Sequence, residues 1–483
     1  MNGDFKGDFT RDTFYRLSHF SRVLMQQGRV QLDADWNEQV DILLYYLRTL
    51  TVDLVGPRAA RGNGFMITRA KKSASTTTSS PGFTINVGSG HYYIDGILVE
   101  NDRDDVFYTF DAQQRLNNPA FLVYLDVWER QVTYIENKFI REVALGILGP
   151  DTATRAMVVW QVRVRNTMPD GTTPIPSPIP TPKATPAQFT DQLDTDWVPN
   201  WIPAIESPHR GKLKAKTGDV SRQDTTPCII SPESRFRGNE NQLYHVEIHK
   251  GGLAGSGGAT FKWSRENGCV VFPISDLAGK VVELDTLGRD KRFGLKQDDW
   301  VEIVDDDYYL QDSPNPLVQI DTVDITSMQV ILKNAPGSLI GQDPAKHPFL
   351  RRWDQNGAED LDGEAVTVDE KGIAIMESTD DTNWFTLEDN IQIQFRAADP
   401  STHNSYRPGD YWLIPARIAT GNVEWPLDDS SSPKALKPHG VEHHYAPLAF
   451  VSLTSEKIGQ ICDLRRTLTK LWTGPAGCSA PTK

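Results

Sequence analysis

Short runs of β-branched and aromatic residues recur along the chain and restrict its fold more than any other feature of the sequence. Four of them precede residue 165, at 83–87, 92–99, 121–128 and 157–164. From residue 242 onward, further runs lie roughly 10–15 residues apart with turn residues between them, as in sandwiches and small barrels. These later runs are LYHVEI, ATFKWS, CVVFPI, WVEIVD, LVQIDTVD and MQVILK. The predicted fold is therefore mainly β and multidomain, built from small sandwiches or barrels.

One long α-helix is predicted near the N-terminus, over Asp33–Val55. Asp35 and Glu38 have the spacing of a capping box, and Gly56-Pro57 ends the helix. Apolar residues recur in this helix at alternating spacings of four and three, which is a heptad pattern. The residues of this heptad seam are Trp36, Val40, Leu43, Leu47, Leu50 and Leu54.

The seam has two interpretations. The helix could pack on its own β-domain, and Leu44 favours this because it widens the apolar stripe beyond a strict seam. Alternatively, the seam could be the oligomer interface of a homo-oligomer, for which we expect a trimer. The sequence leaves both interpretations open.

A proline-rich segment, 167–186, suggests how the chain is divided. Proline at nearly every second position removes backbone donors and favours an extended, semi-rigid spacer. The predicted division is an N-terminal arm and helix (1–60), a first β-domain (61–165), the spacer with an irregular segment (166–235), a second β-domain (236–345) and a C-terminal β-domain (346–483).

No residue pattern with catalytic or metal-binding spacing is found in the sequence. His439, His443 and His444 form the densest histidine cluster, but no helical HExxH pattern accompanies them. There is no GxSxG elbow, no P-loop and no dinucleotide-binding glycine motif. We therefore expect no enzyme activity, no cofactor and no bound metal.

Charge and hydropathy limit the partners. The formal net charge of −14 argues against nucleic acid, because an acidic chain repels phosphate backbones. No apolar run reaches the roughly 20 residues that a membrane span needs. The first residues, MNGDFKGDFTRD, are polar and lack the apolar core of a signal peptide, so we expect assembly in the cytoplasm.

Several segments together resemble an uncharacterised bacterial protein family that is associated with extracellular contractile injection systems. They are GDFTRDTF and HFSRVLMQQGRVQLDADWNEQ within 7–39, FLVYLDVWERQVTYIE at 121–136, ALG and GPDTATR within 144–155, VVWQVRV at 158–164, LYHVEIH at 243–249, ATFKWSRENGCVVFPI at 259–274 and YRPGDYWLIPAR at 406–417. A short arm, a helix and then a hairpin with Asp95-Gly96 are also similar to the start of tail-fibre and baseplate proteins.

The resemblance implies a structural component of a phage-tail-like contractile injection particle, fibre-like or baseplate-associated. Its partners would be other particle subunits and further copies of itself, in an intracellular or released particle. An alternative is a particle-borne adhesin that binds a cell-surface receptor or glycan. A third is a particle-borne polysaccharide hydrolase.

Overall fold

The computed structural model describes residues 3–70, 83–110, 120–146, 151–175, 197–205, 210–218, 235–255, 257–288, 290, 292–311, 314–337, 339–355, 368–380, 383–397, 403–454 and 457–468. The fold is mainly β, as predicted. Within these residues, no helix is both long and apolar enough to cross a membrane.

Helix α1 covers Asp33–Val55, and α2 is the short segment Ile202–Ile205, which follows a π-turn at Trp197–Trp201. Single 3-10 turns lie at Arg16–Ser18, Lys138–Ile140, Val143–Leu145, Tyr308–Leu310 and Pro344–Lys346. The first eight strands are β1 (Arg58–Arg61), β2 (Ile67–Arg69), β3 (Thr84–Val87), β4 (Gly90–Ile94), β5 (Ile97–Asn101), β6 (Val106–Thr109), β7 (Ala120–Val132) and β8 (Arg155–Arg165).

The later strands are β9 (Lys212–Thr217), β10 (Gln242–Lys250), β11 (Gly252–Leu253), β12 (Thr260–Ser264), β13 (Val271–Ala278), β14 (Val281–Leu284), β15 (Trp300–Val304), β16 (Val318–Asp324), β17 (Gln329–Leu332), β18 (Phe349–Trp353), β19 (Ile373–Ala374), β20 (Glu377–Ser378), β21 (Phe385–Thr386), β22 (Ile391–Arg396), β23 (Ser405–Tyr406), β24 (Tyr411–Arg417), β25 (Asn422–Val423), β26 (His444–Leu453), β27 (Ile458–Asp463) and β28 (Thr467–Leu468).

The chain folds into two compact units, each assembled from three separate segments. The first unit contains 1–42, 129–157 and 207–442, and the second contains 43–128, 158–206 and 443–483. The predicted domains follow chain order, whereas these units do not. The difference arises because long-range strand pairs build the sheets: β26, for example, pairs with β7.

The first unit contains a closed antiparallel barrel with strand order β13-β14-β17-β16-β15-β18. Its interior is filled by apolar side chains such as Phe272, Ile303, Ile320 and Leu350. A five-stranded sheet, β19-β12-β10-β24-β25, has its own core around Trp263 and Trp412. Closing a small barrel pairs the strand edges, which leaves few open hydrogen-bonding groups.

The second unit contains the sheets β28-β1-β4-β5, β2-β3-β6 and β27-β26-β7-β8 around a large apolar core. The predicted hairpin is confirmed: Ile94 pairs with Ile97, and Asp95 and Gly96 both adopt positive φ, as a primed two-residue turn requires. A Cβ at Gly96 would lie 2.3 Å from the carbonyl oxygen of Arg48, so glycine also lets the helix approach this turn.

Strand β9 lies within the segment that the sequence predicted to be irregular, so that prediction is wrong for Lys212–Thr217. β9 pairs along its whole length with β22. The remainder of the proline-rich spacer, residues 176–186, lies outside the described residues. Before it, Ile175 is buried against Trp201 in an apolar cluster of the second unit, so the described start of the segment is partly packed.

An N-terminal arm, residues 3–9, is held by backbone bonds and close packing in the first unit. The N–H of Asp4 donates to the Glu129 carbonyl (2.8 Å), and the Gln131 N–H donates to the Asp4 carbonyl (2.9 Å). A Cβ at Gly3 would lie 2.6 Å from the Glu129 oxygen, and one at Gly7 would lie 2.5 Å from the Phe9 ring. Both glycines of the repeated GDF sequence are therefore required for this approach.

A chain of alternating buried charges connects the arm to the sheet and the barrel. Lys6 Nζ lies 2.9 Å from Glu247 Oε2 on β10, and Lys6 also contacts Asp4. Lys262 Nζ on β12 lies 3.2 Å from Glu247 Oε1 and 2.7 Å from Glu302 Oε2 on β15. All but Asp4 are buried, and Asp4 is nearly so.

The protonation states of this charge chain follow from its neighbours. Burial alone would lower the pKa of Lys6, but the carboxylates of Asp4 and Glu247 raise it above its ordinary value. Burial would raise the pKa of Glu247 and Glu302, but the Lys262 ammonium, helped at Glu247 by Lys6, lowers both. Lys6, Glu247 and Glu302 are therefore charged at neutral pH.

We predict that Lys262→Met destabilises the protein by about 3–5 kcal/mol, because it leaves two buried carboxylates without their shared cation. Urea unfolding followed by tryptophan fluorescence measures this. Lys138→Met, at an exposed lysine, is the matched control and should change stability by less than about 0.5 kcal/mol. Equal urea midpoints for Lys262→Met and the wild type would contradict the role assigned to the charge chain.

Candidate assembly surface

Helix α1 turns its heptad seam away from its own chain. Only Ala34 and Ile42 of the helix are buried. The six seam residues are all exposed, from 38% for Val40 to 77% for Leu54, with the others between these values. The interpretation in which the seam packs on the protein's own β-strands therefore does not describe this structure, and self-association stays a prediction.

A loop that precedes α1 exposes a second group of apolar side chains. This N-terminal loop, residues 14–32, has one 3-10 turn and otherwise irregular backbone. Its exposed large apolar residues are Tyr15, Leu17, Phe20, Leu24, Met25, Val30 and Leu32. The sequence pattern does not identify these residues, because their spacing has neither a helical nor a strand period. The signal that could have found them is the concentration of large apolar residues in a segment with no predicted element.

Hydrogen bonds to the first turns of α1 fix the position of this loop and of the residues just before it. The N–H of Thr10 donates to Asp33 Oδ2 (2.8 Å), and the Thr13 hydroxyl donates to Glu38 Oε2 (2.7 Å). The Val23 N–H donates to Gln39 Oε1 (2.9 Å). The loop therefore starts and turns back at defined points, while its apolar side chains remain uncovered.

The three histidines are placed separately rather than as one site. His443 Nδ1 lies 2.6 Å from Asp126 Oδ1, and His444 Nδ1 lies 2.8 Å from Asp95 Oδ2. Burial lowers the pKa of His439 to about 4, so its ring is neutral. In the part of the chain that the structure describes, no group of three His, Cys, Asp or Glu residues is placed to hold a metal ion.

Two glutamates of the first unit have strongly raised pKa values. Burial raises the pKa of Glu266 to about 7, with Asp354 adding to the effect. Burial likewise raises the pKa of Glu388 to about 7, where the Arg265 guanidinium, 2.7 Å from Glu388 Oε2, offsets it only in part. Glu266 is paired with Arg292. Each carboxylate is thus engaged by an arginine.

Comparison with known proteins gives one match. The family model of DUF6519, a family of unknown function, matches residues 5–170 and 204–467. The matched ranges include the arm from Phe5 onward, the N-terminal loop and the whole of α1. No curated protein and no solved structure matches the chain.

We predict that Leu43→Asp together with Leu47→Asp gives folded monomers from a larger wild-type assembly. Both side chains are exposed in the chain's own structure, so the fold should survive, whereas a seam covered by other copies would bury two unpaired charges. Light scattering measures the mass and far-UV circular dichroism the fold. Phe139→Asp, at a side chain that is 98% exposed outside the seam, is the control. Misfolding of the double variant, or an unchanged mass, would contradict the prediction.

We also predict that Glu388→Gln alters the pH dependence of stability. The pKa of Glu388 is higher in the folded chain, about 7, than in the unfolded chain, so the folded state holds this proton more tightly. The stability that protonated Glu388 contributes is therefore present at low pH and is lost as the pH rises through about 7. The always-neutral glutamine removes this loss. The free energy of unfolding of the variant minus that of the wild type should therefore increase by on the order of 1 kcal/mol from pH 5.5 to pH 8.

Urea unfolding at both pH values tests this, with the exposed Glu283→Gln as control. Contributions from buried histidines are common to all three proteins and cancel in the difference. If Glu388→Gln and wild type show parallel pH profiles, Glu388 is already ionised across this range and the prediction fails.

Proposed function

The chain belongs to the DUF6519 family of unknown function, and from this starting point we propose that it is a structural subunit of a phage-tail-like contractile injection particle. In this proposal it is a fibre-like or baseplate-associated component that assembles with further copies of itself and with other particle subunits. It contributes no chemistry to the particle.

The observation that carries the proposal is the uncovered apolar surface of α1. A folded soluble chain rarely leaves so many large apolar side chains exposed without a protein partner. Six seam residues and seven residues of the N-terminal loop are exposed, although hydrogen bonds hold the loop in a defined position. Such a surface favours a subunit of an assembly over a free-standing protein.

The seam residues support a homo-oligomer. Val40, Leu47 and Leu54 share one heptad position, and Trp36, Leu43 and Leu50 share the other. The bulk of Trp36 disfavours a tight two-stranded coil, and a three-stranded coil gives it more room. Three heptads are short for an independent coiled coil, so the β-domains must add contacts. We therefore propose a trimer.

The particle itself is proposed from the resemblance of the sequence segments quoted above. The run at 7–39, which carries much of that resemblance, includes the loop and the first turns of α1. A closed β-barrel suits a particle component, because it is rigid and has no open strand edge. These features support the proposal together with the exposed surface.

The two other functions are favoured less by the structure. An adhesin would present exposed aromatic rings on its C-terminal block, but the described residues from 346 onward contain no exposed aromatic side chain. A glycoside hydrolase uses two carboxylates whose pKa values differ strongly. The two glutamates whose pKa values are raised to about 7, Glu266 and Glu388, are instead each paired with an arginine, which favours a structural role for them.

Electron microscopy of injection particles from the bacterium that encodes the protein tests the proposal. We predict that a tag on this subunit appears on the baseplate or a fibre, and that deletion removes that part. Re-expression of Phe139→Asp should restore the part, whereas Leu43→Asp with Leu47→Asp should not. The proposal would be contradicted by complete particles in the deletion strain together with no tag density on particles from the strain that expresses the tagged subunit.

A further inference from the structure

The N-terminal loop and α1 carry opposite charges. Within 14–32 the charged residues are Arg16, Arg22 and Arg29, with His19, and there is no aspartate or glutamate. Helix α1 contains five acidic residues, which are Asp33, Asp35, Glu38, Asp41 and Asp53, against the single basic residue Arg48. Both elements are also apolar on their exposed sides, so they are complementary in charge and alike in hydrophobicity.

The loop arginines are not used within the chain. All three side chains are exposed, and none forms an ion pair with a carboxylate among the residues that the structure describes. The contacts between the loop region and α1 of the same chain are instead neutral-donor hydrogen bonds, from Thr10, Thr13 and the Val23 N–H. The basic charge of the loop therefore has no acidic partner among the described residues of its own copy.

An acidic helix also creates a problem for the proposed oligomer. Each α1 contains five acidic residues and one basic residue, so helices that pack seam against seam repel one another through their net negative charge. Asp53, next to the seam residue Leu54, is exposed and flanks the seam. A basic segment supplied by the neighbouring copy would offset this repulsion and cover the outer apolar residues at the same time.

We infer that the N-terminal loop of each copy lies along α1 of a neighbouring copy, with its apolar side chains beside the seam and its arginines against the acidic residues of that helix. The partner of the loop is thus a second copy of this chain. The inference rests on the proposed self-association and deepens it, because it assigns the contact that orders the copies around the seam.

Sedimentation velocity of the full chain tests the inference. Arg22→Glu together with Arg29→Glu should weaken self-association at least about tenfold at low salt, since attraction becomes repulsion. Lys138→Glu with Lys457→Glu reverses two exposed lysines elsewhere and is the matched control. Raising the salt concentration from about 0.05 M to about 0.5 M should weaken the self-association of the wild type. The difference in association affinity between the wild type and the arginine variant should then become smaller.

A second pair of variants tests the apolar contact. Phe20→Asp should also promote dissociation, while Phe139→Asp, an equivalent change at another exposed phenylalanine, should not. Both variants should keep the wild-type far-UV circular dichroism spectrum, because neither ring is buried within its own chain.

The outcomes separate the inference from the proposed function. A wild type that is monomeric throughout would overturn both. An oligomer that Leu43→Asp with Leu47→Asp dissociates, but that keeps its wild-type affinity after Arg22→Glu with Arg29→Glu and after Phe20→Asp, would overturn the loop contact alone. The loop contact is supported if the loop variants dissociate the oligomer while both control variants remain oligomeric.

Discussion

The buried charge chain from Asp4 through Lys6, Glu247 and Lys262 to Glu302 is the interaction on which the N-terminal region depends. It connects the arm to the central strand of a five-stranded sheet and to a strand of the closed barrel. Glu302 is further fixed by the Trp353 indole N–H at 2.9 Å. Removing Lys262 would leave the buried Glu302 carboxylate without its cation, which costs several kcal/mol.

The arm in turn determines where the exposed surface begins. With Lys6 held in the core of the first unit, Thr10 reaches the first turn of α1, where it donates to Asp33. The loop that follows is therefore tethered at both ends, and its exposed apolar residues cannot be attributed to a free chain terminus. An exposed apolar segment in a defined position is what we expect of a protein that has a partner surface.

Much of the fold could be predicted from the sequence, because its signals are local. Signals from neighbouring residues predicted the Asp95-Gly96 turn, α1 with its Gly56-Pro57 end, and the runs that form β10, β12, β13, β15, β16 and β17. Strand β9 (KLKAKT) could not be predicted in this way, since lysine is a poor strand former and its partner β22 lies far along the chain. The heptad spacing identified the seam, but only the fold shows which side of α1 faces outward. The burial of Lys6 could not be predicted from neighbouring residues either, because it depends on Glu247, which comes from a distant strand.

The central claim is that other copies of the chain cover the outer face of α1. The mass of the purified wild-type protein, measured by sedimentation equilibrium over a range of concentrations, tests it most directly. We predict a species of three times the 54.1 kDa chain mass that persists on dilution into the micromolar range. A mass of 54.1 kDa at every concentration would contradict the claim.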